Sequence, residues 1–287
     1  MVSTWRTRVV LVGFCCFAVI TIFVNKHVLS NLHFTYPTIF QSWQTGTAAL
    51  VILSMSTLGY TNLNVMSVNR TVLVSWLPAS VLFSAMIYSG SVALSRLPVP
   101  VFCAIHYISI IVQILLESLL FKKFDQIGYK WMMIHCTFSA AYVLYGNSLR
   151  KNSLSDLNKM FCNAVTSVIL LMTISVTTGE LFRLIEFPYL YSSSFHLWCM
   201  TSGLCGTALS VCHGFLLGTD LSHSIAKITS FNRVAISLLS LFIFDMSPSA
   251  NMAVSIAVAL FSGVLHSYSD ASHRESEQLS QIEVRES

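Results

Sequence analysis

Arg233 stands near the middle of a mostly apolar run, 225–244, with Asn232 beside it and Thr229 and Ser230 on the preceding turn. On a helix Thr229 (i−4) and Ser230 (i−3) share the side of Arg233, while Lys227, about 120° round, only flanks it. This stripe holds hydrogen-bond donors and positive charge but no carboxylate. A guanidinium can grip phosphate oxygens through a bidentate fork, so the pattern suits recognition of an anion such as phosphate. An arginine at the centre of a membrane helix costs about 2.5–3.5 kcal/mol on insertion scales, so it must face a protein interior or a water-filled cavity. A structural alternative is an ion pair with Glu117 that only ties two helices together.

The elements that must position these groups are membrane helices. Of the 287 residues 54% are hydrophobic and 10% charged, against roughly 25% charged in soluble domains. About nine runs are long enough to cross some 30 Å of hydrocarbon as helices: 8–29, 36–58, 72–95, 98–121, 129–147, 157–178, 195–217, 222–244 and 248–267. They are far too long for barrel strands, and backbone in lipid must satisfy its own hydrogen bonds, so the expected class is an all-α, polytopic helical bundle. The expected organisation is a first half over 1–123 with four spans, a second half over 124–267 with five, and a disordered cytosolic tail over 268–287. Run 98–121 carries an interruption like that at Arg233, with His106 and Tyr107 at mid-depth. One polar interruption per half is the pattern of an inverted-repeat bundle with a site at its midplane.

The distribution of positive charge does not close the topology. In the first half Arg6, Arg8, Arg70, Lys122 and Lys123 outweigh Lys26 and Arg96, which puts the N-terminus in the cytosol. In the second half Arg150, Lys151, Lys159, Arg274 and Arg285 outweigh Lys130 and Arg183, which puts the other end there too. Two cytosolic ends need an even number of spans. The mismatch falls at "FKKFDQIGYK", 121–130, where one crossing is missing, unless the spans are miscounted or the bias is too weak to decide. Asn69-Arg70-Thr71 is a glycosylation sequon that this orientation keeps in the cytosol.

Other chemistries find little support. The eight cysteines fall within predicted spans without CxxC or paired Cys/His spacing, so they read as small packing residues and no metal site is expected. The acids are scattered, and neither GxGD nor HExxH occurs, so no enzyme and no cofactor are expected. Nothing points to nucleic acid. Lys26, at the end of the first span, reads as a snorkelling lysine or a cavity group. Glu117 reads as an ion-pair partner, a proton carrier or a helix-end group. The segment "FPYLYSSSFHLW", 187–198, reads as an interfacial aromatic belt.

Three stretches carry a family resemblance: "NKHVLSNLHFTYPTIFQSWQ", "LPVPVFCAIHYISIIVQILLE" and "SGLCGTALSVCHGFLLGTDLSHSIAKITSFNRVAISLLSLFIFD". They resemble the nucleotide-sugar transporters of the drug/metabolite transporter superfamily, nearest the GDP-mannose branch. The chain is closer still to the group called transmembrane protein 241, with which "FDQIGYKWMMIH" and "SLSDLNKMF" also agree. The resemblance implies ten spans with both termini cytosolic, and the fifth is the one lacking here. It maps the family's GALNK motif, which contacts the sugar-phosphate, onto Thr229, Ser230, Phe231, Asn232 and Arg233. The FYNN motif, which holds guanine, maps onto Phe161, Cys162, Asn163 and Ala164. Losing the second asparagine leaves guanine donors unmatched at about 1–3 kcal/mol, which favours uracil. Tyr88, His106 and His213 match or neighbour cavity positions. The resemblance therefore implies a Golgi (or ER) antiporter exchanging a nucleotide sugar, UDP-N-acetylglucosamine first, for a nucleoside monophosphate. GDP-mannose transport and a non-transporting isoform are the alternatives, and a homodimer is left open.

Overall fold

A computed structural model describes residues 4–60, 70–97, 99, 102, 126–149, 154–219, 225–244 and 257. The described residues are helical and contain no strand. In chain order they form α1 (Thr4–Lys26), a π-helical turn (His27–Asn31), α2 (Pro37–Thr57), α3 (Arg70–Arg96), α4 (Gln126–Ser148), α5 (Asp156–Thr177), α6 (Glu180–Arg183), a 3-10 turn (Leu184–Glu186), α7 (Ser193–Leu217) and α8 (Ile225–Ile243). Seven of these helices answer to expected runs; apart from residues 99, 102 and 257, runs 98–121 and 248–267 lie outside the described residues. Among the described residues four helical stretches suffice, by length and composition, to cross a membrane: Trp5–Asn31, Thr71–Arg96, Asp156–Thr177 and Ser193–Leu216.

Local chemistry sets the helix ends. Pro37 opens α2, where its missing N–H is no loss. Gly59 closes the same helix at φ 78°, with Gly59 N donating to Ser56 O and Tyr60 N to Met55 O; this pair of bonds satisfies carbonyls the helix would otherwise strand. Ser155 caps α5 by accepting from Asn158 N at 3.4 Å, and Asp156 follows in the first turn, where acid favours the helix dipole. Pro78 sits inside α3; three residues before it, Ser75 O accepts a 3.1 Å hydrogen bond from the Tyr145 phenol of α4.

The chain forms two compact units that do not follow chain order: Met1–Leu97 with Asp125–Ser222, and Pro98–Phe124 with His223–Ser287. In the first unit α7 packs on α1 and α2, α2 also on α5, α5 on α3, and α3 on α4. Helices from both sequence halves therefore interleave in one unit. Side-chain pairs fix the directions. Ser75 meets Tyr145, Phe83 meets Tyr142, Met86 meets His135 and Tyr88 meets Trp131, so α3 and α4 are antiparallel. As a consequence Leu97, just past the end of α3, and Gln126, at the start of α4, open on the same side.

A core of Val24, Val28, Leu29, Phe34, Phe40, Phe187, Phe195 and Cys199 closes the unit at the Lys26 end. Phe34 packs against Phe187 and Phe195 at 4.9 and 5.1 Å between ring centres. The belt reading of 187–198 therefore needs dividing. Tyr189, Tyr191 and Trp198 are exposed, whereas Phe187 and Phe195 are buried core. In the second unit the described helix is α8.

Candidate functional site

Arg233 is the ninth of the nineteen residues of α8, at its middle. It is half-buried, as are Thr229 one turn before and Asn232 beside it. Ile236, Ser237 and Ser240, on the same side of the helix, are 0–1% exposed. Phe231, Leu238, Leu239 and Phe242 take the opposite side and are exposed. The guanidinium thus leaves α8 from its buried face, as the cost of a lipid-facing charge requires. The Ser237 hydroxyl donates to Arg233 O at 2.9 Å. Ser237 and Ser240 extend the polar stripe by two turns and were not singled out from sequence, although their i+4 and i+7 spacing from Arg233 is the signal that finds them. The side chains of Ser230 and Lys227, and all of His106, lie outside the described residues.

Phe161 and Asn163 lie on α5, in the first unit. Phe161 is half-buried and Asn163 is 4% exposed. The Asn163 Oδ1 accepts from Trp76 Nε1 at 3.1 Å and from Ser80 Oγ at 2.8 Å, both on α3. Its Nδ2 donates to the Tyr142 hydroxyl of α4 at 2.9 Å. One turn further, Ser84 and Ser167 share a 2.8 Å hydrogen bond between buried hydroxyls. Three helices thus meet on one carboxamide, with Trp76, Ser80 and Tyr142 as partners that sequence reading passed over, because each is remote in sequence from Asn163.

The remaining candidates stand apart from that junction. Tyr88 lies two turns beyond Ser80 on α3, about 12 Å of helix rise, with its ring edge-on to Trp131 at 5.5 Å. His213 lies on α7 and is stacked on Phe14 of α1, with ring centres 6.0 Å apart. Lys26 does not snorkel. Its ammonium donates to Leu94 O and Leu97 O at 2.8 Å and to Ser95 O at 3.4 Å, closing the end of α3. Beside it Ser30 Oγ donates to Ser95 O at 2.8 Å. Asn25, Gln44 and Ser202 form a second polar knot between α1, α2 and α7. Among the described residues no group of His, Cys, Asp and Glu could hold a metal ion.

No protein-family model matches the chain. A Xenopus laevis protein named UDP-N-acetylglucosamine transporter TMEM241 homolog is 35% identical, over 91% of this chain and 95% of its own length. This chain belongs to the TMEM241 family of nucleotide-sugar transporters. The Mus musculus protein named UDP-N-acetylglucosamine transporter TMEM241 is 33% identical, with 82% and 87% of the two chains covered. A more distant relative is the Arabidopsis thaliana GDP-mannose transporter GONST1, 22% identical over 91% of this chain and 88% of its own. All three relatives are named as transporters. With its apolar helices, the chain is a multi-pass membrane protein.

Proposed function

We propose that this protein carries UDP-N-acetylglucosamine from the cytosol into the Golgi lumen in exchange for a nucleoside monophosphate, by alternating access. The observation that carries the reading is the match, nearly end to end, to two relatives named for that substrate. Arg233 is consistent with it, standing at mid-helix on the buried face of α8, where an arginine in a membrane helix points to a function. Arg233 and Asn232 take the phosphates, with Thr229 and Ser230 on the preceding turn, and Phe161 and Asn163 serve the base. Tyr88, His106 and His213 are secondary contacts. The protein catalyses no covalent step.

Uptake of labelled UDP-N-acetylglucosamine into proteoliposomes preloaded with UMP tests the reading directly, with GDP-mannose and GMP as the competing pair. Uptake driven by UMP is the expected result, and Arg233→Ala is expected to abolish it while the protein still inserts. Normal exchange by that variant would remove the phosphate role from Arg233. Preferred uptake of GDP-mannose would move the chain to the other branch.

One observation favours a second reading, an isoform that lacks a span and does not transport. Leu97 and Gln126 open on the same side of the first unit, whereas a single crossing between them would put them on opposite sides. The alignment to the Xenopus relative runs over 287 positions yet takes up 91% of this 287-residue chain, so about two dozen positions have no residue here, roughly one span's length. If wild-type proteoliposomes show no exchange while a chain with a span inserted between 121 and 126 does, this second reading holds.

A further inference from the structure

We infer that Lys26 and Ser30 form a gate: they latch the end of α1 to the end of α3, and the transport cycle opens the unit there by breaking those bonds. This inference rests on the proposed transport by alternating access and adds to it the contact that closes one side. If the N-terminus is cytosolic, as the charge count expects, that side is the luminal one.

The first unit holds two packed pairs, α1 with α7 and α3 with α4, joined through α2 and α5. The latch lies where one pair meets the other. Lys26 and Ser30 stand about one turn apart at the end of α1, where the helix widens into the π-helical turn His27–Asn31. Such an irregularity often marks a functional site. Both side chains reach α3: the Lys26 ammonium donates to Leu94 O and Leu97 O at 2.8 Å and to Ser95 O at 3.4 Å, and Ser30 Oγ donates to Ser95 O at 2.8 Å. One turn before Ser95, Ser91 Oγ accepts from Gln41 Nε2 of α2. Around these bonds Val28, Ala93, Leu94 and Leu97 are buried, so this end is sealed. Towards its other end α3 directs Trp76, Ser80 and Ser84 to Asn163 and Ser167 of α5 instead.

The chemistry of the latch lets it be undone. Among the described residues every hydrogen bond of Lys26 ends on a backbone carbonyl and none on a carboxylate, so parting α1 from α3 separates no ion pair. Water entering a widening gap can bond both the ammonium and the freed carbonyls, which makes the net cost of exchange far smaller than the strength of the bonds themselves. While the gap stays dry the bonds hold, because an ammonium or a helix-end carbonyl without a partner is expensive in apolar surroundings. The contact therefore has two states, dry and bonded or wet and parted, as a gate requires. A tie that only stabilises the fold is made in every state of the carrier, and nucleotide does not affect it. That difference separates the two roles.

The experiment uses the full chain with its eight cysteines changed to alanine and one reporter thiol, Ala93→Cys, at a buried position beside the latch. The rate at which a hydrophilic methanethiosulfonate labels that thiol is measured in the detergent-purified protein with and without UMP, alongside exchange of UDP-N-acetylglucosamine in proteoliposomes. UMP is expected to change the labelling rate several-fold, because nucleotide redistributes the carrier between the bonded and the parted state. Lys26→Met is expected to raise the rate about tenfold, and Ser30→Ala, which leaves the ammonium in place, to raise it by a smaller factor. A rate that UMP leaves unmoved makes the bonds a structural tie, and a rate that both variants leave unmoved puts the seal elsewhere. Either result overturns this inference, and does so alone where the reporter protein still exchanges nucleotide. If the reporter protein neither exchanges nor responds to UMP, the transport reading falls and this inference falls with it.

Discussion

Lys26 shows how a single charge is accommodated inside a membrane bundle. The last carbonyls of a helix have no partners within it, and the end of α3 meets this need with three N–H donors borrowed from α1. A cation there also opposes the negative end of the helix dipole. Lys26→Met keeps the aliphatic stem and removes only the ammonium. Orphaning the Leu94 and Leu97 carbonyls should cost about 1–3 kcal/mol. The thermal midpoint of the purified protein is therefore expected to fall by several degrees, and an unchanged midpoint would show that water or lipid headgroups replace the lysine. Arg233 is placed differently. It stands at mid-helix, where no helix end is available, and that position is why Arg233→Ala is expected to act on exchange rather than on insertion.

At the scale of elements, α7 is held against two neighbours by small residues. A Cβ added at Gly203 would lie 2.8 Å from both Cβ and Oγ1 of Thr47 on α2, closer than such atoms come. A Cβ at Gly206 would meet Thr21 of α1 at 4.0 Å, an ordinary contact. Close approach through glycine is the usual means of helix association where the surroundings are as apolar as the helices themselves. Gly203→Ala should therefore push α7 from α2 and cost about 1–3 kcal/mol, whereas Gly206→Ala should be near neutral. Thermal unfolding of the two variants side by side checks this, and equal midpoints would show that Thr47 simply rotates away. The Gln44, Asn25 and Ser202 knot lies beside Gly203, through Ser202, and one turn from Thr47, through Gln44, so it fixes the register of the same contact.

For the whole molecule the open matter is parity. Charge counting places the discrepancy at 121–130; in the structure the antiparallel α3 and α4 both open on one side, at Leu97 and Gln126. A chain carrying one added span between 121 and 126 is expected to insert in higher yield and to resist protease better than the present one. Equal yield and resistance would mean that the present chain already satisfies its topology. If both ends are cytosolic, as the charge count expects, Asn69 carries no glycan when the protein is made in cells with an active glycosylation pathway. A glycosidase-sensitive mass shift that vanishes on Asn69→Gln would invert the orientation.

Much of this molecule follows from composition and spacing alone. Long apolar runs must become helices in lipid, because no other backbone arrangement there satisfies its own hydrogen bonds unless it closes into a barrel. Arg233 could be assigned to a buried face from its depth, because the cost of placing it in lipid does not depend on which neighbours it has. Partners remote in sequence could not be read in that way. The lysine that closes α3 lies 68 to 71 residues from its carbonyls, and the tryptophan that orients Asn163 lies 87 residues from it. Helical periodicity tells which side of a helix a residue occupies but carries no information about which other helix faces it. That choice belonged to the packing of the unit, where interleaved helices from both halves of the chain put Trp76, Ser80 and Tyr142 around one carboxamide.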